Sequence, residues 1–247
     1  MTAEYDIGRA RREASFFDSM ATNGHEREDV RHGSYETITG AAIRCFSDAL
    51  AESRLHLEVG AGTQPFSALL PVASQAVCVD VSFESLRLAR RGWPRFQYVC
   101  CDATFLPFAK DVFDGVIGSA VLHHLDAVRC APELLRVRKA GTVAAFSEPQ
   151  AGNPVTRLYR RLHRTNYSPD ERPLSERDLR AWNEGASVEA RRLQLLGAVT
   201  SIAPVLRGSS LLVTSAAKVD AVIERWLPPL RPFYRYVILT LRKRHAG

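Results

Sequence analysis

The sequence predicts an α/β fold built on a mostly parallel sheet with helices on both faces. From Leu55 onward, short apolar runs alternate with amphipathic segments. The apolar runs are continuous, which is typical of strands buried on both faces. Closely spaced glycines, Gly60 and Gly62, follow the first run, as at a strand-to-helix turn that lets a backbone approach a ligand.

The amino-terminal part has a helical pattern from Gly8 to about Leu50, interrupted by a polar stretch over Ala21–His32. Five strands are then predicted over Leu55–Val59, Ala76–Val81, Phe96–Cys101, Val112–Gly118 and Thr142–Phe146. The segments between them predict a helix that opens at Phe66–Leu70 and helices over Phe83–Arg91 and Asp126–Arg138.

The regularity lapses after Glu148-Pro149, where an arginine-rich, polar segment follows. Beyond it the pattern predicts a strand over Val188–Leu196, a helix over Leu211–Trp226 and a final strand over Phe233–Leu241 that is rich in β-formers. We expect one domain, with residues 1–52 as a helical cap, 53–149 as the core and 150–247 as substrate-side segments and final strands.

Length and composition agree with a single globular domain, since 46% of the 247 residues are hydrophobic and 24% are charged. The chain has no run of about 18 apolar residues that could span a membrane. The charged segment Met1–Asp18 lacks the apolar block of a signal peptide, so a cytoplasmic location is expected. The five cysteines have no C-x-x-C spacing, which favours free thiols over disulfides or zinc ligands.

The formal net charge of +6 permits anionic partners. No nucleic-acid-binding module is apparent, so a nucleic-acid partner is not expected. A peripheral membrane contact through the apolar stretch Leu206–Trp226 and the basic run Leu241–Arg244 is an alternative to a substrate lid and an ordinary basic tail. The oligomeric state stays open.

Acidic and small residues stand at the ends of four successive strands: Glu58 with the two glycines, then Asp80, Asp102 and Ser119. A carboxylate that ends the second strand can accept hydrogen bonds from both hydroxyls of a ribose. Asp102 can accept from the exocyclic amine of an adenine. The spacing therefore predicts a nucleoside pocket at the carboxyl edge of the sheet.

These ordered motifs resemble the class I S-adenosylmethionine-dependent methyltransferases, in particular the bacterial small-molecule type. Leu57-Glu58-Val59-Gly60-Ala61-Gly62-Thr63 is similar to the first motif of that family, and Val79-Asp80-Val81-Ser82 is similar to the second. Cys101-Asp102-Ala103, Phe113-Asp114-Gly115-Val116 and Ser119-Ala120-Val121-Leu122-His123-His124-Leu125 resemble the later ones. The resemblance covers Leu55 to Pro149.

The resemblance implies a Rossmann-like, seven-stranded, mostly parallel sheet with N-terminal helices and an insertion that form a lid. It implies S-adenosylmethionine as the cofactor, with Gly60, Ala61 and Gly62 against its methionine part and Glu58 nearby. It further implies Asp80 on the ribose, Val81 against the adenine, Asp102 and Ala103 at the adenine edge, and the Ser119 backbone at the amino group. Gln64-Pro65 and Ala140-Gly141 depart from the family pattern.

Each motif also has a purely structural interpretation. The glycines could form only a strand-to-helix turn, and Asp102 could only begin a turn. Asp80 could cap the helix that follows it, although Ser82 is the better candidate for that cap.

The adjacent His123 and His124 are the catalytic candidates, because an imidazole can accept a proton near neutral pH. The alternative is that the pair packs the start of the next helix. No metal is expected, because no carboxylate or third ligand lies at a suitable spacing in the sequence.

The acceptor is expected over the carboxyl ends of the strands. Weaker candidates for contact with it are His25, His32, Tyr35, Glu148, Tyr159 and Arg160. The arginines at 157, 160, 161, 164, 172, 177 and 180 could receive an anionic group of the substrate or form a solvated face.

The leading functional hypothesis is methyl transfer from S-adenosylmethionine to an oxygen, nitrogen or carbon atom of a small molecule, for example in secondary metabolism. A methyltransferase-fold protein with a non-methylating role and an RNA-modifying methyltransferase are the alternatives.

Overall fold

The computed structural model describes residues 7–23, 33–162, 164, 167–175, 178–180, 186–196 and 210–243. Two helices precede the sheet, α1 over Ile7–Thr22 and α2 over Gly33–Ala49. The remaining α-helices are α3 Phe83–Gly92, α4 Ala127–Val137, α5 Pro154–Leu162 and α6 Ser210–Trp226.

One sheet of seven strands organises the chain, in the order β3-β2-β1-β4-β5-β7-β6. The strands are β1 Leu55–Val59, β2 Gln75–Asp80, β3 Gln97–Cys100, β4 Phe113–Ser119, β5 Arg138–Pro149, β6 Ala186–Leu193 and β7 Tyr236–Lys243. The first five are mutually parallel, and β7 runs antiparallel to β5 and β6. The expected seven-stranded, mostly parallel sheet is confirmed.

Alternate residues of the central strands point to opposite faces of the sheet, and both faces are covered by apolar groups. On one face, Ile117 and Ala145 pack with Phe46 and Leu50 in a buried cluster that includes residues of α2. On the other face, Val116 and Ala144 belong to the larger core that includes α4. Burial on both faces explains why these strands are continuous apolar runs in the sequence.

The helix expected after the first strand is a single 3-10 turn, Phe66–Leu69. Leu70 is extended, with φ −85° and ψ 132°. Pro71 follows it, and the proline ring disfavours the helical conformation of the residue before it. The expectation of a longer helix was therefore wrong.

The boundaries of the last strands also differ from the predicted ones. A 3-10 helix over Pro228–Phe233 delays the start of β7 to Tyr236. The strand β6 begins earlier than expected and ends at Leu193, where Gln194 takes a positive φ of 64°. None of the helices in the described ranges has the length and apolar character needed to cross a bilayer.

Phe46 lies at the centre of the contact between α2 and the sheet. Its ring is fully buried and meets the Phe66 ring edge-on, with the ring centroids 5.0 Å apart. Phe46→Ala is expected to lower the free energy of unfolding by about 3–5 kcal/mol, because it leaves a cavity in this cluster. Urea denaturation measures the change.

The matched control is Phe83→Ala, since the Phe83 side chain is exposed. This substitution is expected to change the free energy of unfolding by no more than about 0.5 kcal/mol. Equal losses in the two variants would show that α2 does not contribute a specific core.

Candidate active site

A cavity of about 270 Å³ lies at the carboxyl ends of the parallel strands. The sheet edge contributes Gly60, Gly62, Asp80, Val81, Asp102 and Ala103 to its lining. Helix α1 contributes Arg9, Ala10, Glu13 and Phe17, and the turn after β4 contributes Ala120, Val121, His124 and Leu125. The fold thus brings most of the predicted site residues together, beside α1, which is one of the N-terminal helices expected to wall the pocket.

Gly60 and Gly62 of the first turn are needed for different structural reasons. Both adopt a left-handed conformation, with φ +70° at Gly60 and +57° at Gly62. A Cβ on Gly60 would lie 2.4 Å from Cγ2 of Val121, so a side chain there would clash. A Cβ on Gly62 would meet nothing within 4 Å. The backbone at Gly62 therefore faces open space, as close approach to a ligand requires.

Asp80 fixes the relative position of the turns after β1 and β2. Its two carboxylate oxygens accept hydrogen bonds from the N–H of Gly62 at 2.9 Å and the N–H of Ser82 at 2.8 Å. Burial raises the pKa of this carboxyl, and these N–H donors oppose the rise. Ser82 caps α3, since its Oγ accepts from the Ser85 N–H at 3.1 Å. Asp80 is therefore left to the turns and to the cavity.

Glu58 points away from the cavity, into the 3-10 turn after β1. Its carboxylate accepts from the N–H of Phe66 at 2.6 Å, the N–H of Ser67 at 2.8 Å and the Ser67 hydroxyl. His56 lies 2.8 Å from Ser67 Oγ through Nε2 and 2.8 Å from Ser74 Oγ through Nδ1. Because Ser67 donates its proton to Glu58, the Nε2–H of His56 donates to the Ser67 oxygen. Burial lowers the pKa of His56 to about 4, so the ring is neutral at physiological pH.

Asp102 combines the structural and the ligand-facing interpretations. One oxygen accepts from both the N–H and the hydroxyl of Thr104, each at 2.8 Å, so Asp102 does begin a turn. The same residue also lines the cavity. Of the other residues predicted to bind the cofactor, Val81 and Ala103 line the cavity, whereas Glu58, Ala61 and Ser119 do not belong to its described lining.

The two histidines have separate environments. His123 is buried, and its Nδ1 lies 2.7 Å from Glu148, which also accepts from the N–H groups of Val121 and Leu122 at 2.9 Å each. Desolvation opposes charging of His123, but its contacts with Glu148 and Glu171 outweigh this and raise its pKa.

His124 lines the cavity, with its ring edge-on to Phe17 at a centroid distance of 5.3 Å. Burial, together with the neighbouring His123, lowers its pKa. Of the two catalytic candidates, His124 is therefore the one that can contact a molecule in the cavity.

The tertiary structure adds two acidic residues to this region that the sequence patterns missed. Glu13 on α1 is buried, lies 2.9 Å from His124 Nδ1 and accepts from the Ser168 hydroxyl at 2.6 Å. Glu171 lies 3.3 Å from His123 Nε2. The sequence patterns did not indicate these two glutamates as site residues. The histidines that they contact lie far away in the sequence, so only the folded structure shows the contacts.

Among the described residues, the remaining candidates for acceptor contact do not line the cavity. Glu148 holds the turn at His123, and Arg160 donates to Glu171 at 2.5 Å and stacks on Tyr167. The arginines at 157, 161, 164, 172 and 180 are exposed. Five further candidates lie outside the described part of the chain: His25, His32, Arg177 and the side chains of Tyr35 and Tyr159.

Comparison with known proteins identifies the family. A model described as a methyltransferase domain matches residues 57–146. A demethylmenaquinone methyltransferase from Beutenbergia cavernae is 30% identical over 191 residues, which are 72% of this chain and 79% of that protein. The chain belongs to the class I S-adenosylmethionine-dependent methyltransferases.

Two further comparisons show similarity to other methyltransferases. A demethylmenaquinone methyltransferase from Renibacterium salmoninarum is 32% identical over 140 residues, which are 51% of this chain and 59% of that relative's length. The crystal structure of a methyltransferase from Thermotoga maritima, described as a possible histamine N-methyltransferase, has the same fold. Its TM-score is 0.67 at 17% identity, with 94% of this chain and 100% of that chain covered.

Glu58 gives the methyltransferase fold a measurable pH dependence. Burial raises the pKa of Glu58 to about 7 from an ordinary value of 4.5, against the effect of its hydrogen-bond donors. The folded state therefore binds this proton more tightly than the unfolded chain does. The resulting stabilisation is present at low pH and is lost as the pH rises from about 4.5 to about 7.

We expect the free energy of unfolding to fall between about pH 5 and pH 8, by up to about 3 kcal/mol through this group. Glu58→Gln is expected to remove that part of the fall, as measured by urea denaturation at both pH values. Glu52→Gln, at an exposed site just before β1, controls for the loss of a carboxylate. An unchanged pH dependence in Glu58→Gln would contradict the assignment.

Proposed function

We propose that the chain binds S-adenosylmethionine in the cavity and transfers its methyl group to a small molecule. The carrying observation is the convergence of Gly62, Asp80 and Asp102 on one cavity at the carboxyl ends of neighbouring strands. This is where open parallel sheets bind their ligands. Membership of the methyltransferase family supports the same cofactor.

Different residues of the cavity lining suit different parts of the cofactor. The open backbone at Gly62 suits the methionine part, and the half-buried carboxylate of Asp80 suits the two ribose hydroxyls. Asp102 and Ala103 lie one strand further along and suit the adenine, with Val81 beside them. When bound, the sulfonium supplies the activated methyl group, so the protein has to orient the acceptor and exclude water.

The acceptor is expected at the other end of the cavity, between α1 and the turn after β4. Phe17, Val121 and Leu125 give this end an apolar wall, and Glu13 and His124 supply its polar groups. Such a wall suits a largely apolar molecule with one polar reacting region. The relatives from Renibacterium salmoninarum and Beutenbergia cavernae are demethylmenaquinone methyltransferases, so demethylmenaquinone is the first acceptor to assay.

We propose different parts for the two histidines. His124 contacts the acceptor, because it lines the cavity. His123, fixed by Glu148, positions the turn that carries His124. We also place the protein in the cytoplasm, where its five free cysteines would stay reduced.

Asp80→Asn tests the cofactor site. The substitution removes the charge that a ribose would bind, and loss of hydrogen bonds to a charged group costs about 1.5–3 kcal/mol. We expect binding of S-adenosylhomocysteine to weaken by about 10- to 100-fold in titration calorimetry.

Asp48→Asn is the matched control for Asp80→Asn, because Asp48 is an exposed residue of α2 outside the cavity lining. It is expected to keep the wild-type affinity. If wild type does not bind S-adenosylhomocysteine, or if Asp80→Asn binds it equally well, the proposed cofactor site is wrong.

His124→Asn tests the acceptor end. We expect it to slow the formation of S-adenosylhomocysteine from S-adenosylmethionine and demethylmenaquinone by about a hundredfold, through lost positioning of the acceptor. Its affinity for S-adenosylhomocysteine should stay near that of wild type. Binding without turnover on any acceptor would instead favour a non-methylating role.

A further inference from the structure

Three side chains beside the acceptor end of the cavity converge although they come from different parts of the chain. His123 and His124 belong to the turn after β4, and Glu171 lies in the segment after α5. One potential ligand atom of each residue lies within 4.8 Å of those of the other two. The side chains of His123 and Glu171 are each 1% exposed, and that of His124 is 9% exposed.

The contacts of His123 direct a lone pair toward Glu171. Its Nδ1 lies 2.7 Å from Glu148, a hydrogen bond that places the proton of a neutral ring on Nδ1. The opposite nitrogen, Nε2, is buried, has no hydrogen-bond partner among the described residues and lies 3.3 Å from Oε1 of Glu171. A lone pair that faces a carboxylate at this distance needs a positive charge between them, which is a proton on Nε2 in the metal-free protein and a metal ion in its place when one is bound.

His124 has a parallel arrangement. Its Nδ1 lies 2.9 Å from Oε2 of Glu13, without the alignment of a hydrogen bond, and its Nε2 lies 3.9 Å from Oε2 of Glu171. Each ring thus has a carboxylate at Nδ1 and shares Glu171 at Nε2. Histidines that bind metals commonly have this pattern, in which an outer carboxylate orients the ring and makes Nε2 a better ligand.

We propose that His123, His124 and Glu171 bind a divalent transition-metal ion of the zinc class. Two imidazole nitrogens and one carboxylate suit zinc, cobalt or iron better than magnesium or calcium, which prefer oxygen ligands. Tetrahedral ligands about 2.0–2.1 Å from zinc lie about 3.3 Å from one another. The 3.3 Å between Nε2 of His123 and Oε1 of Glu171 matches that separation. Nε2 of His124 lies 3.9 Å from the other oxygen, Oε2, so the His124 ring would have to move closer to bind the same ion.

The groups around these ligands complete the site. Glu148 orients His123, and Arg160 donates to Oε1 of Glu171 at 2.5 Å. A carboxylate offers about four lone-pair positions, so the guanidinium and a metal ion can share Glu171. Access is through the cavity, which His124 and Glu13 also line.

A metal ion in this site would also act on the acceptor of the methyl transfer, and this consequence rests on the proposed function. An ion held at His124 would contact an acceptor oxygen in the cavity and act as a Lewis acid on it. The binding of the ion itself does not depend on that reaction.

The test is titration calorimetry of Zn²⁺ into chelator-treated full-length protein, together with visible absorption after addition of Co²⁺. Wild type is expected to bind one Zn²⁺ and to give the absorption bands of protein-bound Co²⁺. Glu171→Gln and His124→Asn should lose both signals, because each removes a ligand. Glu148→Gln should weaken Zn²⁺ binding by about 10- to 100-fold, as expected for an outer carboxylate.

Two control variants separate this site from other metal-binding groups. Asp170→Asn removes the adjacent carboxylate, which pairs with Arg12, and Cys100→Ser removes an exposed thiol. Both should bind Zn²⁺ as wild type does.

Binding of S-adenosylhomocysteine, measured on every variant, shows that the fold is intact and tests the cofactor site separately. The metal site is refuted if wild type binds neither ion, or if Glu171→Gln binds Zn²⁺ as tightly as wild type.

Discussion

Carboxylates that accept hydrogen bonds from backbone N–H groups at the carboxyl ends of the parallel strands hold the candidate site together. Each turn that leaves a strand has backbone N–H groups that need partners once they are shielded from water. Glu58 accepts from the turn after β1, Asp80 from the turns after β1 and β2, and Glu148 from the turn after β4. The shape of the cavity follows from these bonds, because they fix the backbone segments that line it.

The strand-end carboxylates differ in whether they also reach the cavity. Within the described part of the chain, Glu58 and Glu148 bond only to neighbouring turns and side chains, whereas Asp80 and Asp102 hold turns and also line the cavity. A strand-end carboxylate is therefore not by itself a sign of ligand contact. A strand-end carboxylate contacts the cavity only if its side chain points that way. Its direction depends on whether the following turn offers N–H groups on the cavity side or on the opposite side.

Helix α1 and the segment around Glu171 close the site from outside the sheet. Glu13 bonds to Ser168, Arg12 pairs with Asp170, and Asp18 accepts from the Ser82 hydroxyl and the Glu84 N–H at the start of α3. These contacts join the two ends of the cavity to one helix. Helix α1 thus contacts both ends of the cavity, with the histidine cluster at one end and the cap of α3 at the other.

The sequence by itself determined where the strands β1 to β5 lie along the chain, the glycine turn and the acidic residues at the strand ends, because burial and turn geometry restrict which residues can occupy those positions. It did not predict the short 3-10 turn after β1, where Pro71 ends the helical conformation at Leu70. Only the tertiary structure decided that Glu58 faces inward, that His124 and not His123 reaches the cavity, and that Glu13 and Glu171 join the histidines. Local patterns encode the conformation of a segment, whereas contacts between residues far apart in the chain exist only once the sheet has aligned them.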